Sequence, residues 1–248
     1  MNFVTVVMPY FKKRKYVRDS VESVLNQTYK NFELLIIYDD EDKTDLEILE
    51  NIKKKDSRVN IIVNSKNIGA GASRNKAIEV AKGDFLAFLD SDDIWEKNKI
   101  EIQIKFMLDN NFDFSSTSYF IIDEFDNIID FRRTSEIVTF STLLKSCDVG
   151  LSTVMLKRKL ITAESQFVDL KTKEDFVLWL NITKKNINIY GIDQSLCSWR
   201  KTKKSLSTNV FQKLFDGFLV YNKYMKFNLL KSLYYLGILS INYLKKRY

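Results

Sequence analysis

The sequence contains no histidine, one proline and two cysteines among 248 residues. The missing imidazole removes Ser-His-Asp triads, histidine general bases and every histidine-containing metal site. A metal, if one is used, must be held by oxygen, which selects hard ions such as Mg2+ or Mn2+. Cys147 and Cys197 stand far apart, in no CxxC and no disulfide framework; they read as reduced core thiols and point to the cytoplasm. Long apolar runs are also missing. No stretch of roughly 18 residues is apolar and uncharged, which argues against a spanning helix. The start, MNFVTVVMPYF, has neither the basic segment nor the small-residue cleavage site of a signal peptide.

What is present is ordinary globular material, 45% hydrophobic and 29% charged, with a net charge of +7. This fits one large α/β domain, or one with a smaller appendage, and leaves a real core to bury. The first hundred residues alternate between two patterns. FVTVVMPY (3–10), FELLIIYDD (32–40), VNIIV (59–63) and DFLAFLD (84–90) read as buried strands, the first ended by Pro9. YVRDSVESVLNQ (16–27), DLEILENIKKK (45–55), GASRNKAIEVA (71–81, capped by Gly83) and KNKIEIQIKFML (97–108) have helical spacing. Strand and helix in this rhythm predict a doubly wound, mostly parallel, Rossmann-like sheet, whose ligands sit beyond the carboxyl ends of the strands. The second half is less regular: strands are expected at 114–122, 149–156 and 187–190 and a helix at 173–185. From residue 209 the chain is helical, aromatic and basic.

Three strand ends then share one rim: Pro9-Tyr10, Asp39-Asp40, and Asp90-Ser91-Asp92-Asp93. Three aspartates at the tip of an apolar strand would repel one another and raise each other's pKa unless a cation joins them. The cluster therefore reads as half of a metal site. A plain turn or a helix N-cap is the bland alternative for 90–93, and a plain turn for Asp39-Asp40. Thr172-Lys173-Glu174-Asp175 reads equally as a helix start capped by Thr172. Gly69 and Gly71 suggest a dinucleotide fingerprint, but Arg74 stands at the third glycine position, so that reading is poor.

Four stretches in order, VTVVMPYF, SVESVLNQTYKNFELLIIYDD, NIGAGASRNKAI and GDFLAFLDSDDIW, resemble the N-terminal signature of family 2 glycosyltransferases, inverting enzymes of the GT-A fold that use nucleotide-activated sugars. The resemblance covers roughly residues 3–100, with weaker echoes to about 207. It implies that Pro9, Tyr10, Asp39, Arg74, Asp90 and Ser91 serve the nucleotide sugar and that Asp92 and Asp93 face a Mn2+ or Mg2+ on the diphosphate. Glu174-Asp175 matches the family's ED motif, with Asp175 as the base. Arg200 with Ser205 and Ser207 resembles an R-x4-S-x-S element near the diphosphate. Two departures stand out: PYFKKR where many members have PxYN, and DDED where DDGS is usual.

The resemblance further implies a catalytic domain over 1–208, with a nucleotide-sugar half (1–100) and an acceptor half (101–208), followed by the helical segment 209–248. It is similar to O-antigen and capsule enzymes with a DSDD motif. That implies a hexose, glucose or galactose, passed from a UDP-sugar to a surface glycan on GlcNAc- or GalNAc-diphosphate-lipid at the cytoplasmic face of the inner membrane. The basic aromatic C-terminus suits either an anionic membrane surface or packing on the catalytic domain, and the two can coexist. No nucleic-acid motif accompanies the positive charge, and the oligomeric state is left open. Two other functions compete with this one. A sugar nucleotidyltransferase would need a Gly-rich loop after strand one, which PYFKKRKY lacks. A non-catalytic nucleotide- or glycan-binding module would have no need of Asp175.

Overall fold

A computed structural model describes residues 2–202 and 209–245. In chain order the elements are β1 (Val4–Tyr10), α1 (Val17–Leu25), β2 (Phe32–Tyr38), α2 (Leu46–Lys53), β3 (Val59–Val63), α3 (Ala70–Val80), β4 (Phe85–Phe88), β5 (Ile94–Trp95), α4 (Lys99–Asp109), β6 (Phe114–Ile122), β7 (Ile128–Arg132), β8 (Ile137–Val138), α5 (Phe140–Leu143), β9 (Met155–Lys157), α6 (Glu174–Thr183), β10 (Ile189–Arg200), α7 (Val210–Leu219) and α8 (Leu229–Lys245). A π-helical turn, Val220–Tyr224, follows α7.

One sheet runs in the order β3-β2-β1-β4-β9-β6-β10-β5, with β7 on β6 and β8 on β10. The first four strands pair in parallel, β9 runs against both its neighbours, and β6 and β10 are again parallel. Strand order reverses between β1 and β4, the point at which a doubly wound sheet is expected to leave a crevice above the carboxyl ends of its strands. The period-2 pattern of the strands sorts the core onto two faces. Val4, Val6, Met8 and Tyr10 join α1, α2 and α4 on one side. Val7, Leu35, Ile37, Leu86 and Phe88 join α3 and α6 on the other. This second cluster continues without a break into Val220, Tyr221, Met225 and Leu239, so the C-terminal helices share the core of the sheet domain. Tyr221 has no exposed surface, and its hydroxyl donates to the Leu144 carbonyl at 2.8 Å.

Several sequence expectations need correction. Pro9 does not end β1; it lies inside it, opposite Ile37. Tyr10 directs its carbonyl to β2, where Asp39 N–H donates at 2.8 Å, so Pro9 turns its missing N–H toward the β4 side. Pairing with β4 has already stopped at Phe88, and no ladder bond is lost. Gly83 is not a helix cap. α3 closes at Val80, and a Cβ on Gly83 would stand 2.4 Å from the Thr5 backbone nitrogen; the residue is small because β1 passes against it. The strand expected at 149–156 begins as a 3-10 turn, Leu151–Thr153, before β9. The strand expected at 187–190 is the start of the 12-residue β10. Two register shifts between Ile192 and Cys197 break the alternation that would have marked it.

Candidate functional site

The rim is assembled from the strand ends. After β2, Asp39 is buried, and its carboxylate accepts from Asn64 Nδ2 (2.7 Å), Ile68 N (2.9 Å) and Gly69 N (2.9 Å). Gly69 has φ of 86°, a left-handed conformation suited to glycine, which aims its amide at Asp39 and starts α3. Three of the carboxylate's roughly four acceptor positions are thus taken, leaving about one for a ligand. Tyr10, expected among the nucleotide contacts, has no exposed surface. Its ring stacks on Tyr38 (5.0 Å between centroids) and its hydroxyl donates to Asp45 at 2.5 Å, so the side chain supports the rim from below. Pro9 is partly exposed beside it.

α3 then carries Arg74 across the crevice. Its guanidinium is buried and bridges two acids from distant segments, Asp90 at 2.6 Å and Glu174 at 2.7 Å. Among the described residues its Nε has no partner. The two carboxylates hold the positive charge more firmly than burial opposes it, so the pKa is raised. One side chain therefore locks the acidic turn after β4 to the first turn of α6. Asp90 keeps 35% of its side chain exposed, so it still faces the crevice. Beside Glu174, Asp175 is only partly exposed. Lost hydration, then repulsion from Glu174, raise its pKa to about 7 against the pull of Arg74. A carboxyl poised near neutrality beside this ion-pair chain suits proton transfer.

Asp92 and Asp93 are adjacent but face different ways. Asp93 turns inward: it is buried, accepts from Ser152 Oγ at 2.5 Å and from Arg200 N–H at 2.8 Å, and burial pushes its pKa well up. Asp92 faces the rim and pairs with the Lys13 ammonium, itself 28% exposed. Burial raises the Asp92 pKa while Lys13 opposes the rise. Ser91 is buried beneath them. Arg200 is likewise buried rather than open to a diphosphate. It donates to the carbonyls of Asp92 (2.8 Å) and Asp123 (3.1 Å), pairs with Asp126 (2.6 Å) and lies over the Tyr16 ring. It ties the acidic turn to the turn after β6. Ser205 and Ser207 lie outside the described residues. The structure thus joins Asp90, Arg74 and Glu174 by ion pairs, with Asp175 next in sequence to Glu174, Asp92 paired with Lys13, and Asp93 and Arg200 buried behind them.

Sequence reasoning missed Lys13 and Ser152 as partners of the acids. Lys13 had a faint signal in the unusual KKR after β1. Ser152 had none, because only folding brings it to Asp93.

Among the described residues, no three acids converge closely enough to enclose a metal on their own. The donor set suits an ion carried on a ligand phosphate, held by Asp90, the more exposed of the two acids, and by Asp92 once it exchanges Lys13 for the ion. A cleft of about 830 Å³ opens elsewhere, at the amino ends of the strands, between Asn2, Asp84 and Arg158. Its cations are paired within the protein, Lys157 and Lys159 with Asp113 and Arg158 with the Gly83 carbonyl.

Comparison with known proteins identifies the family and the fold. The model of the family described as glycosyl transferase family 2 matches residues 5–161. TuaG of Bacillus subtilis, a glycosyltransferase named for teichuronic acid biosynthesis, is 33% identical over 98% of this chain and 97% of its own. WfgD of Escherichia coli, named as a UDP-Glc:α-D-GlcNAc-diphosphoundecaprenol β-1,3-glucosyltransferase, is 40% identical over 94% of this chain and 90% of its own. Among solved structures, S. aureus TarS with UDP-GlcNAc superposes with a TM-score of 0.71 at 19% identity, covering 94% of this chain and 70% of that one. The mannosyltransferase PcManGT of Pyrobaculum calidifontis, with GDP-Man and Mn2+, gives 0.72 at 13% identity, covering 95% and 70%. The fold is the GT-A architecture expected from the sequence.

Proposed function

The chain belongs to glycosyl transferase family 2 and is a glycosyltransferase; from that premise we propose that it moves a hexose, glucose or galactose, from a UDP-sugar to GlcNAc- or GalNAc-diphosphate-lipid, with inversion. One observation carries this reading: Asp175, a carboxyl with a pKa near 7, is joined through Glu174 and Arg74 to Asp90 of the acidic turn. Base and diphosphate-facing acids are thereby parts of one braced unit. The donor fits the crevice above β1 and β4, its nucleotide toward Pro9 and Asp39 and its diphosphate toward Asp90 and Asp92.

When bound, Mn2+ or Mg2+ would neutralise the charge that develops on the departing diphosphate. The side chains do the rest. Asp175 takes the proton of the acceptor hydroxyl as its oxygen bonds to the anomeric carbon. The bond from that carbon to the diphosphate breaks on the opposite face, and its electron pair leaves with UDP. A UDP-α-sugar therefore yields a β-linkage.

The outer surface of the C-terminal helices suits such an acceptor. Phe211, Phe215, Leu230 and Tyr234 are 60–86% exposed, with Lys213 and Lys231 among them. Apolar and basic side chains mixed in this way match an anionic membrane surface. Among the described residues no helix is long and apolar enough to cross a membrane. We place the enzyme peripherally, at the cytoplasmic face of the inner membrane.

The test is a panel of nucleotide sugars with Mn2+, read as release of free nucleoside diphosphate with and without lipid-diphosphate GlcNAc or GalNAc. Acceptor-dependent UDP release from a single donor, abolished by EDTA, is the expected result. No release with any pair, despite UDP binding, would sink the reading. In the same system Asp92→Asn should weaken Mn2+-dependent UDP binding by about 100-fold, measured by calorimetry, because it removes one of the two carboxylates that hold the ion. Unchanged binding would move the metal site elsewhere.

A further inference from the structure

α6 starts without a side-chain cap of its own. The residue before it, Lys173, has φ of 66° and ψ of 16°, a left-handed conformation that a lysine adopts only under constraint. Thr172, expected as the cap, faces away from the helix. Its N–H and its Oγ1 both donate to Oδ2 of Asp216, at 2.9 and 2.8 Å. Asp216 lies on α7, 44 residues further along, and is 2% exposed. Gln212 Nε2 donates to its other oxygen at 2.8 Å. The next residue, Gly217, lets α7 approach closely: a Cβ there would meet Leu236 Cδ1 at 2.9 Å and the Lys173 side chain at 3.5 Å. α7 thus grips both residues of the turn that leads into Glu174 and Asp175.

We infer that Asp216 is a positioning residue for the transfer step, holding the Thr172–Lys173 turn so that Asp175 is presented to the acceptor hydroxyl. The inference rests on the reading of Asp175 as the base. Arg74 braces the helix start from the sheet side, through Glu174, and Asp216 braces it from the C-terminal helices. Lys173 sits between the two in a conformation that neither its own propensity nor a local cap would hold. Without the second brace the turn can relax, and small displacements of a reacting group are costly in rate.

The test uses the full chain and three forms: parent, Asp216→Ala and Asp216→Asn. Asparagine keeps one oxygen for Thr172, and Gln212 can rotate its amide to meet the new NH2 group. Asp216→Ala is expected to lower kcat by roughly tenfold to hundredfold with donor KM and UDP affinity within about twofold of the parent, and asparagine is expected to restore most of the rate. Hydrogen exchange supplies a readout that needs no turnover. The Val177 amide, bonded to the Lys173 carbonyl at 3.1 Å, should exchange faster in the alanine form and at the parental rate in the asparagine form. An unchanged kcat or unchanged exchange in Asp216→Ala would overturn the inference. So would a loss of UDP affinity in step with thermal stability, which would mark a merely structural role. If the parent turned over no donor and acceptor pair, the transferase reading would fail, and the exchange result alone would decide whether Asp216 holds the turn.

Discussion

With Asp175 as the proposed base, placed on the acceptor side, Asp175→Asn is expected to reduce kcat by roughly 10³-fold while leaving UDP affinity within about twofold, since general-base catalysis is worth about 10²–10⁴. The chain has no histidine to take over the task. The parent's pH profile should report the same group. Burial and repulsion from Glu174 raise the Asp175 pKa to about 7, and only the ionised form accepts a proton. kcat should therefore climb about tenfold per pH unit below neutrality and level off above it. Asp175→Asn should lose this limb. A variant that kept parental kcat, or a parent whose acid limb lay near pH 4, would remove Asp175 from the role.

Arg74→Met is expected to produce the largest loss of stability. The guanidinium is the cation facing both Asp90 and Glu174, and it is 3% exposed. Removing one partner of a buried ion pair typically costs about 3–5 kcal/mol. Because Asp90 can regain water, the lower end applies, about 3 kcal/mol, or roughly 10 °C in Tm for a chain of this length. Arg74 also pulls the Asp175 pKa down, so its loss should move the acid limb of kcat to higher pH. Pairing Arg74→Met with Glu174→Gln should recover part of the stability, because the stranded charge is then gone as well. Strict additivity in that cycle would mean that the bridge does not hold the two segments together.

The parallel half of the sheet was legible because its strands carry short apolar runs between amphipathic helices, a pattern that period and length resolve. The acids at its rim were legible for the same reason: with strands read over 32–40 and 84–90, Asp39 and Asp90 at their carboxyl ends must stand at one edge. The sides they face were not legible. Asp92 and Asp93 are neighbours in sequence, yet a turn closed by the Asp93 N–H on the Asp90 carbonyl (3.0 Å) sends one outward and one into the wall. The burial of Arg200, expected near the diphosphate, was not legible because its acceptors, Asp123 and Asp126, come from another strand connection. β10 was shortened because Ser195 and its neighbours abandon alternation at the register shifts. Asp216 gave no signal, because its meaning lies in Thr172, a residue with which it shares no periodicity.

The apolar cluster that runs from Phe88 through Trp179 and Phe176 into Tyr221 and Leu239 has a mechanical consequence. A tail joined by a linker would let the enzyme swing on a tether, sampling many heights above whatever surface it touched. Here α7 and α8 share one packed core with α6, whose first turn carries Asp175. Any surface that the helices rest on fixes the height and tilt of the reaction centre above it. Reach toward the acceptor is then a property of the fold, and changing it would take repacking of a core rather than lengthening of a loop.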